Sequence, residues 1–243
     1  MQIHVEAIVC ALRGHGEHGG IVRLFTPDHG LVAAYVRGAR SRQMRPVLMA
    51  GNVVAAQLRS RNDAQLPQAA VELAHSRAAV LGEPLAAAAV EWAAALVTTA
   101  LPERQPFPAV YQAFAGLLDA IEAAPSAKGW APALVRFELL LLSELGFGLD
   151  LDRCAVGDTT HDLVAVSPRS GRAISASAAE PYKGQLLTLP RFVRRGGAAT
   201  WDEILAGLEL SGHFVERDIV PERARAIGEL RARLVERLKR ASD

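Results

Sequence analysis

Polar and apolar positions alternate from the second residue onward. Ile3, Val5, Ala7, Val9 and Ala11 share one face of a strand over residues 2–12, with Ile8 and Cys10 opposite. His15 to Gly20 has turn composition, and a second strand, Ile21 to Thr26, runs into a second turn at Pro27-Asp28-His29-Gly30. A third strand, Leu31 to Val36, lies between Gly30 and Gly38. Gly51-Asn52 marks a turn before Val53–Leu58, and Gln68–Leu73 is the last of the series. Five short strands with turn signals in about 75 residues predict a small closed barrel. An oligonucleotide/oligosaccharide-binding (OB) barrel fits the strand count best; an SH3-like barrel is left open by pattern alone.

From Arg77 the period changes from strand to helix. Leu85–Thr99 and Ala109–Ala124 have helical spacing, and Val110, Phe114, Leu117, Leu118 and Ile121 form one stripe of the second. Trp130-Ala131-Pro132 opens a third helix, with Pro132 near its first position, that runs to Leu145 and stops at Gly146. That helix is apolar nearly all round and is expected at the centre of its domain, with Glu138 and Glu144 on its surface. Residues 150–182 are irregular, a compact ribbon with a hairpin at Leu163–Val166 and Ala173–Ser175. Helices resume near Pro190 and at Trp201–Leu208. The tail, Pro221 to Lys239, puts Ile227, Leu230, Leu234, Val235 and Leu238 on one stripe, with Arg223, Arg231, Arg233, Arg237 and Arg240 largely outside it. The fold class is therefore α+β: a barrel domain over residues 1–77, then a mainly helical domain over 78–243 interrupted by the ribbon.

Composition adds a class and a location. Half of the 243 residues are apolar, which is globular composition. The two cysteines, Cys10 and Cys154, cannot build a disulfide framework and suit a reducing compartment. The most apolar window, Pro84 to Pro102, is mostly alanine and too weakly hydrophobic to span a bilayer, so a cytoplasmic protein is expected.

Net charge is only +1, but its distribution is uneven. Residues 1–61 hold eight arginines against three acids, whereas residues 62–150 hold four basic and ten acidic groups. Two surfaces with different partners fit that split better than one uniform binder. Four of the arginines, Arg37, Arg40, Arg42 and Arg45, fall within nine residues after the third strand. Such a loop on a small β domain suits phosphate binding; a solvated surface loop is the competing reading. Arg23 and Arg59 complete the candidate phosphate contacts.

Catalytic chemistry finds no support. There is no nucleotide-binding glycine loop, nucleophile elbow or metalloprotease motif. His15 and His18 form a pair without a nearby cysteine, and Cys154 reads as a buried thiol. No catalytic residue, cofactor or metal ligand is assigned, and the chain is expected not to be an enzyme.

Taken together, several segments resemble the RecO family of bacterial recombination mediators: Leu24-Phe25-Thr26 with His29-Gly30, then Arg37-Gly38-Ala39-Arg40-Ser41-Arg42, then Arg136-Phe137-Glu138-Leu139 through Leu145-Gly146-Phe147-Gly148. Leu151 and Cys154, followed by Ser167-Pro168 and Ser170-Gly171, match the ribbon after that helix. The resemblance implies an N-terminal OB domain and a role in DNA repair and recombination. Its members bind single- and double-stranded DNA, anneal complementary strands, and act with RecR and the single-stranded-DNA-binding protein to load RecA. It also implies that the helical domain receives the acidic, apolar-ended tail of the single-stranded-DNA-binding protein, for which Arg136, Phe137 and Leu140 are candidates. An internal pair between Arg136 and a neighbouring glutamate is the alternative.

Many members hold zinc in the ribbon with four cysteines. Here Cys154 stands alone, with Gly157 and roughly Ser175 and Ala178 where the others would fall, so a degenerate, metal-free zinc-ribbon-like insertion is expected. Two other functions compete: a protein-only adaptor whose arginine loop faces an acidic partner such as RecR, and an RNA-binding OB protein. The barrel is poor in aromatics, with only Phe25 and Tyr35 in residues 1–61, both expected in or near its core. Binding led by the sugar-phosphate backbone, with little base stacking, is the expectation.

Overall fold

The structure, a computed structural model, describes residues 2–62, 65–124, 126–220 and 225–242. By packing the chain divides into two compact units, Met1–Glu122 and Ala123–Asp243. Mixed α+β architecture is present as expected.

The first unit contains β1 (Gln2–His15), β2 (Gly19–Thr26), β3 (Gly30–Val36), the single-turn α1 (Met44–Val47), β4 (Val53–Arg59) and β5 (Gln68–His75). The strands close into a barrel in the order β1-β2-β3-β5-β4. Closure depends on β1 serving two neighbours. Its first half pairs with β4, Ile3 opposite Leu58, and its second half with β2, Leu12 opposite Val22. A register shift between Val9 and Ala11 bends the strand where the partner changes.

The alternating residues behave as their period dictates. Ala7, Val9, Val22, Leu24, Val32, Ala34, Val54, Ala56 and Leu58 fill the barrel, and Ile3 and Val5 pack at its edge. Ile8 and Cys10 point outward yet are also buried, because α3 packs against β1. After α2 (Ala78–Leu81), α3 (Pro84–Ala100) and α4 (Pro108–Ala123) complete the helices that begin in this unit.

The second unit is built on α5 (Ala127–Glu144). Trp130, Leu134, Val135, Phe137, Leu141 and Leu142 are all buried, in keeping with a central helix. Its end is a Schellman motif: Phe147 N–H donates to Leu142 O at 2.8 Å and Gly146 N–H to Ser143 O at 3.0 Å, with Gly146 at φ +88°. Pro132 lies inside the helix rather than at its start, because the chain turns helical a full turn before Trp130, right after the extended Ser126.

The ribbon forms a four-stranded sheet in the order β6-β8-β7-β9, from β6 (Asp150–Cys154), β7 (Leu163–Val166), β8 (Arg172–Ser175) and β9 (Leu187–Thr188). The expected hairpin is the antiparallel pair β7 and β8. A short helix, α6 (Ala176–Ala179), lies between β8 and β9. Then come α7 (Arg191–Arg195), α8 (Trp201–Asp218), which starts in a Thr200/Glu203 capping box, and α9 (Arg225–Ser242). The expected start of the tail helix at Pro221, and Arg223 with it, lies outside the described residues.

Two readings of side-chain placement are corrected here. Glu138 is fully buried rather than on a helix surface, and Arg231 is buried rather than outside the apolar stripe. Each is buried because it meets the other; a period count cannot anticipate an ion pair between residues 93 apart in the chain.

Candidate nucleic-acid interface

The arginine loop leaves β3 at Val36 and is pinned by what lies between its basic residues. Gly38 takes φ +68°, and Ala39 is fully buried against the barrel core. Ser41 N–H donates to Gly38 O at 2.9 Å, and Ser41 Oγ accepts from Met44 N–H at 3.2 Å at the entry to α1. Beyond α1, Asn52 Nδ2 donates to Pro46 O at 2.7 Å, and Asn52 Oδ1 accepts from Arg77 N–H at 2.9 Å. A small apolar peg, a serine turn and a buried asparagine thus fix the loop, and Arg37, Arg40, Arg42 and Arg45 are all left exposed. Arg40 N–H lies 3.5 Å from His18 O in the β1–β2 turn, so that turn borders the basic loop.

The other expected contacts divide. Arg59 is exposed at the end of β4. Arg23 is half-buried and occupied: its Nη1 is 2.5 Å from Glu103 Oε1. A charge already neutralised is a weak phosphate ligand, so Arg23 holds the connection after α3 rather than offering a free cation.

The two aromatics lie near the barrel core rather than in it, because both sit at odd-numbered positions of their strands, on the outer face. Phe25 is buried against α4, with ring centroids 5.4 Å from Tyr111 and 6.4 Å from Phe114. Tyr35 lies across Gly19 on β2, in the space a Cβ would need, and its ring meets His15 edge-on at 6.0 Å. It covers the glycine and is half-buried beside the basic loop.

In the second unit Arg136 is exposed on α5. It donates from Nη2 to Phe192 O at 3.3 Å, and its guanidinium lies 5.7 Å from the Phe192 ring centroid. It therefore leans on α7 through Phe192. Leu140 is half-buried, whereas Phe137 is sealed in the interior. Phe137 consequently serves packing, not a partner surface.

Comparison with known proteins matches this geometry to a family. The description "Recombination protein O N terminal" covers residues 1–77, and "Recombination protein O C terminal" covers residues 81–225. The chain belongs to the RecO family. It is 45% identical to the DNA repair protein RecO of Phenylobacterium zucineum over 99% of each chain. It is 44% identical to that of Rhodospirillum centenum, over 97% of this chain and 94% of the relative. Against the RecO of Caulobacter vibrioides strain NA1000 the identity is 41% over 99% of each chain. These relatives carry names that place the family in DNA repair.

In this RecO chain the ribbon is organised around a sulfur atom. Cys154 Sγ accepts from Ser175 N–H at 3.2 Å and Val156 N–H at 3.4 Å, and lies 3.5 Å from Ser175 Oγ. Burial pushes the thiol pKa up, but these hydrogen bonds, aided by the charge of Arg172, outweigh it and bring the pKa below its usual value. The surroundings do not fit zinc: Cys154 supplies one thiol, and Ser175 and the amides spend their donors on it. Among the described residues no three His, Cys, Asp or Glu side chains gather as ligands.

Sequence reasoning missed the buried ion pair of the second unit, and it missed a cavity at one mouth of the barrel. The only advance signal for the pair was a glutamate within the long apolar run of α5. For the cavity there was none, because its lining comes from β1, β3, β4, the β2–β3 turn, the approach to β5 and the loop after α3.

Proposed function

We propose that this RecO-family chain is a non-enzymatic DNA repair and recombination mediator whose barrel is an OB domain. It binds single- and double-stranded DNA through the exposed arginines 37, 40, 42 and 45 with Arg59, and it anneals complementary strands. With RecR and the single-stranded-DNA-binding protein it helps RecA onto coated DNA in the cytoplasm. The observation that carries this reading is the arginine loop: four guanidinium groups held outward by buried Ala39 and by the turn at Ser41. Each phosphate contact releases condensed counterions, so binding is sequence-tolerant and weakens steeply with salt. A clamp on the backbone leaves bases free to pair, which annealing requires. No helix among the described residues is long and apolar enough to cross a membrane.

The test is strand annealing by the full chain, with bare strands and with strands coated by the single-stranded-DNA-binding protein. Acceleration of both, lost as salt rises, supports the mediator. A chain that binds RecR but neither strand is the adaptor, and one that prefers RNA in direct competition is an RNA binder.

A further inference from the structure

The two mouths of the barrel differ. At the mouth where β3 ends and β4 begins, Met44, Val47 and Leu48 of the α1 segment pack onto the core. At the opposite mouth β1 and β3 begin and β4 ends, with Ile3 paired to Leu58. There a cavity of about 130 Å³ opens, walled by Ile3, Val32, Leu58 and Pro67. Its polar lining is Asp28 and His29 from the β2–β3 turn, Ser60 after β4, and Arg104.

Arg104 is set in place by its backbone. Gly30, at φ +64°, leaves the space into which the backbone of Gln105 comes; a Cβ there would collide with it. Leu31 and Glu103 form a parallel bridge, and Arg104 N–H donates to Leu31 O at 2.9 Å. Arg104 itself holds φ +60°, an uncommon conformation for a residue with a side chain.

Size and chemistry narrow the ligand. An apolar cavity of about 150 Å³ accepts one benzene ring, so this one accepts a single six-membered ring, and a two-ring purine would protrude. Arg59 and Arg61, both exposed, flank Ser60 in the chain. With Arg104 they put three cations at or beside a rim that carries one described carboxylate, Asp28. A slot with apolar walls and both a hydrogen-bond acceptor and cations at its rim suits a nucleotide.

We infer that this mouth holds one unstacked pyrimidine base of a single strand. Asp28 accepts from the base's N–H edge, and the exposed Arg59 and Arg61 face the flanking phosphates. The inference rests on the DNA-binding reading above and deepens it. A base inside a duplex cannot enter without leaving its stack, so the pocket favours single strands. Its β3 wall is Val32, and Pro67 opposite accepts from Tyr35 N–H at 2.8 Å; one base pinned there leaves those along the arginine loop free to pair.

The test compares binding of the full chain to a thymidine oligomer and to the same backbone with every base removed, across a salt series. The intact strand is expected to bind about tenfold tighter. Ile3→Trp, which fills the cavity, and Ser60→Phe, which blocks its rim, should each bring the intact strand to the affinity of the abasic one. Thermal unfolding would confirm that each variant is folded. Equal affinity of the wild type for both strands, with steep salt dependence retained, overturns the pocket and leaves the DNA reading standing. No salt-dependent binding to either strand overturns both. If both folded variants keep the tenfold preference, the base is held elsewhere and the pocket assignment fails, leaving an apolar side chain of a protein partner as the occupant to examine.

Discussion

Arg231 on α9 grips Glu138 on α5 through a two-point contact, Nε to Oε1 at 2.9 Å and Nη2 to Oε2 at 2.8 Å, with both side chains almost wholly buried. Ser211 on α8 donates to the same carboxylate, and Arg231 also donates to Leu208 O at 2.7 Å. Burial opposes the guanidinium's charge, but Glu138 more than offsets this and raises its pKa further. Gly212 makes room: a Cβ there would run into the Arg231 guanidinium. Arg231→Ala leaves a buried carboxylate without its cation and should destabilise the second unit by about 3–5 kcal/mol. Arg231→Met with Glu138→Leu should recover much of that loss. Urea unfolding of the three proteins checks both statements.

The arginine loop predicts a change in salt dependence. Arg40→Ala with Arg42→Ala removes two exposed cations, so the slope of log affinity against log salt should fall by about 1.4–1.8 units, with weaker binding to every sequence. Tyr35→Ala should act differently. It uncovers Gly19 and should lower the melting temperature while leaving the slope unchanged. An unchanged slope in the double variant would remove the loop from the DNA path.

Cys10 predicts an alkaline weakness. Burial pushes its thiol from the ordinary 9.0 up to about 12, against smaller opposing contributions from the Phe25 backbone and the Arg23 charge. The folded state therefore keeps a proton that the unfolded chain releases. The stability this gives is fully present below pH 9 and is lost as pH rises toward 12. Cys10→Ala should be less sensitive, so wild type and variant should converge in urea stability between neutral pH and about pH 10.

Arg136 predicts the fate of an acidic tail. Its guanidinium is exposed yet oriented by Phe192, so it can present a fork to a carboxylate. Arg136→Ala should weaken binding of an acidic, apolar-ended tail peptide by about tenfold, and Arg136→Lys should fall between, keeping charge without the fork. Calorimetric titration of the three proteins decides. Equal affinities would exclude Arg136 from the site.

Local periodicity made most of the architecture legible. The alternation at Ile3, Val5, Ala7 and Val9, the stripe on α4 and the glycine stop at Gly146 each depend on neighbours within a few residues, and each stands where the pattern put it. The arginine loop was legible for the same reason: its four charges fall within nine residues of the chain, and all four are exposed.

What tertiary structure alone decided lies where distant segments meet. Arg23 looked as available as Arg40 until Glu103, 80 residues away, was found holding it. Phe25 and Tyr35 could be seen to alternate, but α4 decided that one is buried outside the barrel and Gly19 that the other is only half covered. The sequence by itself determined a barrel, a helical unit and a basic loop, because hydrophobic period and charge density are local quantities. The strand order that closes the barrel, the burial of Glu138 with Arg231 and the cavity beside Arg104 came only from the fold, because each depends on which remote segments share a space.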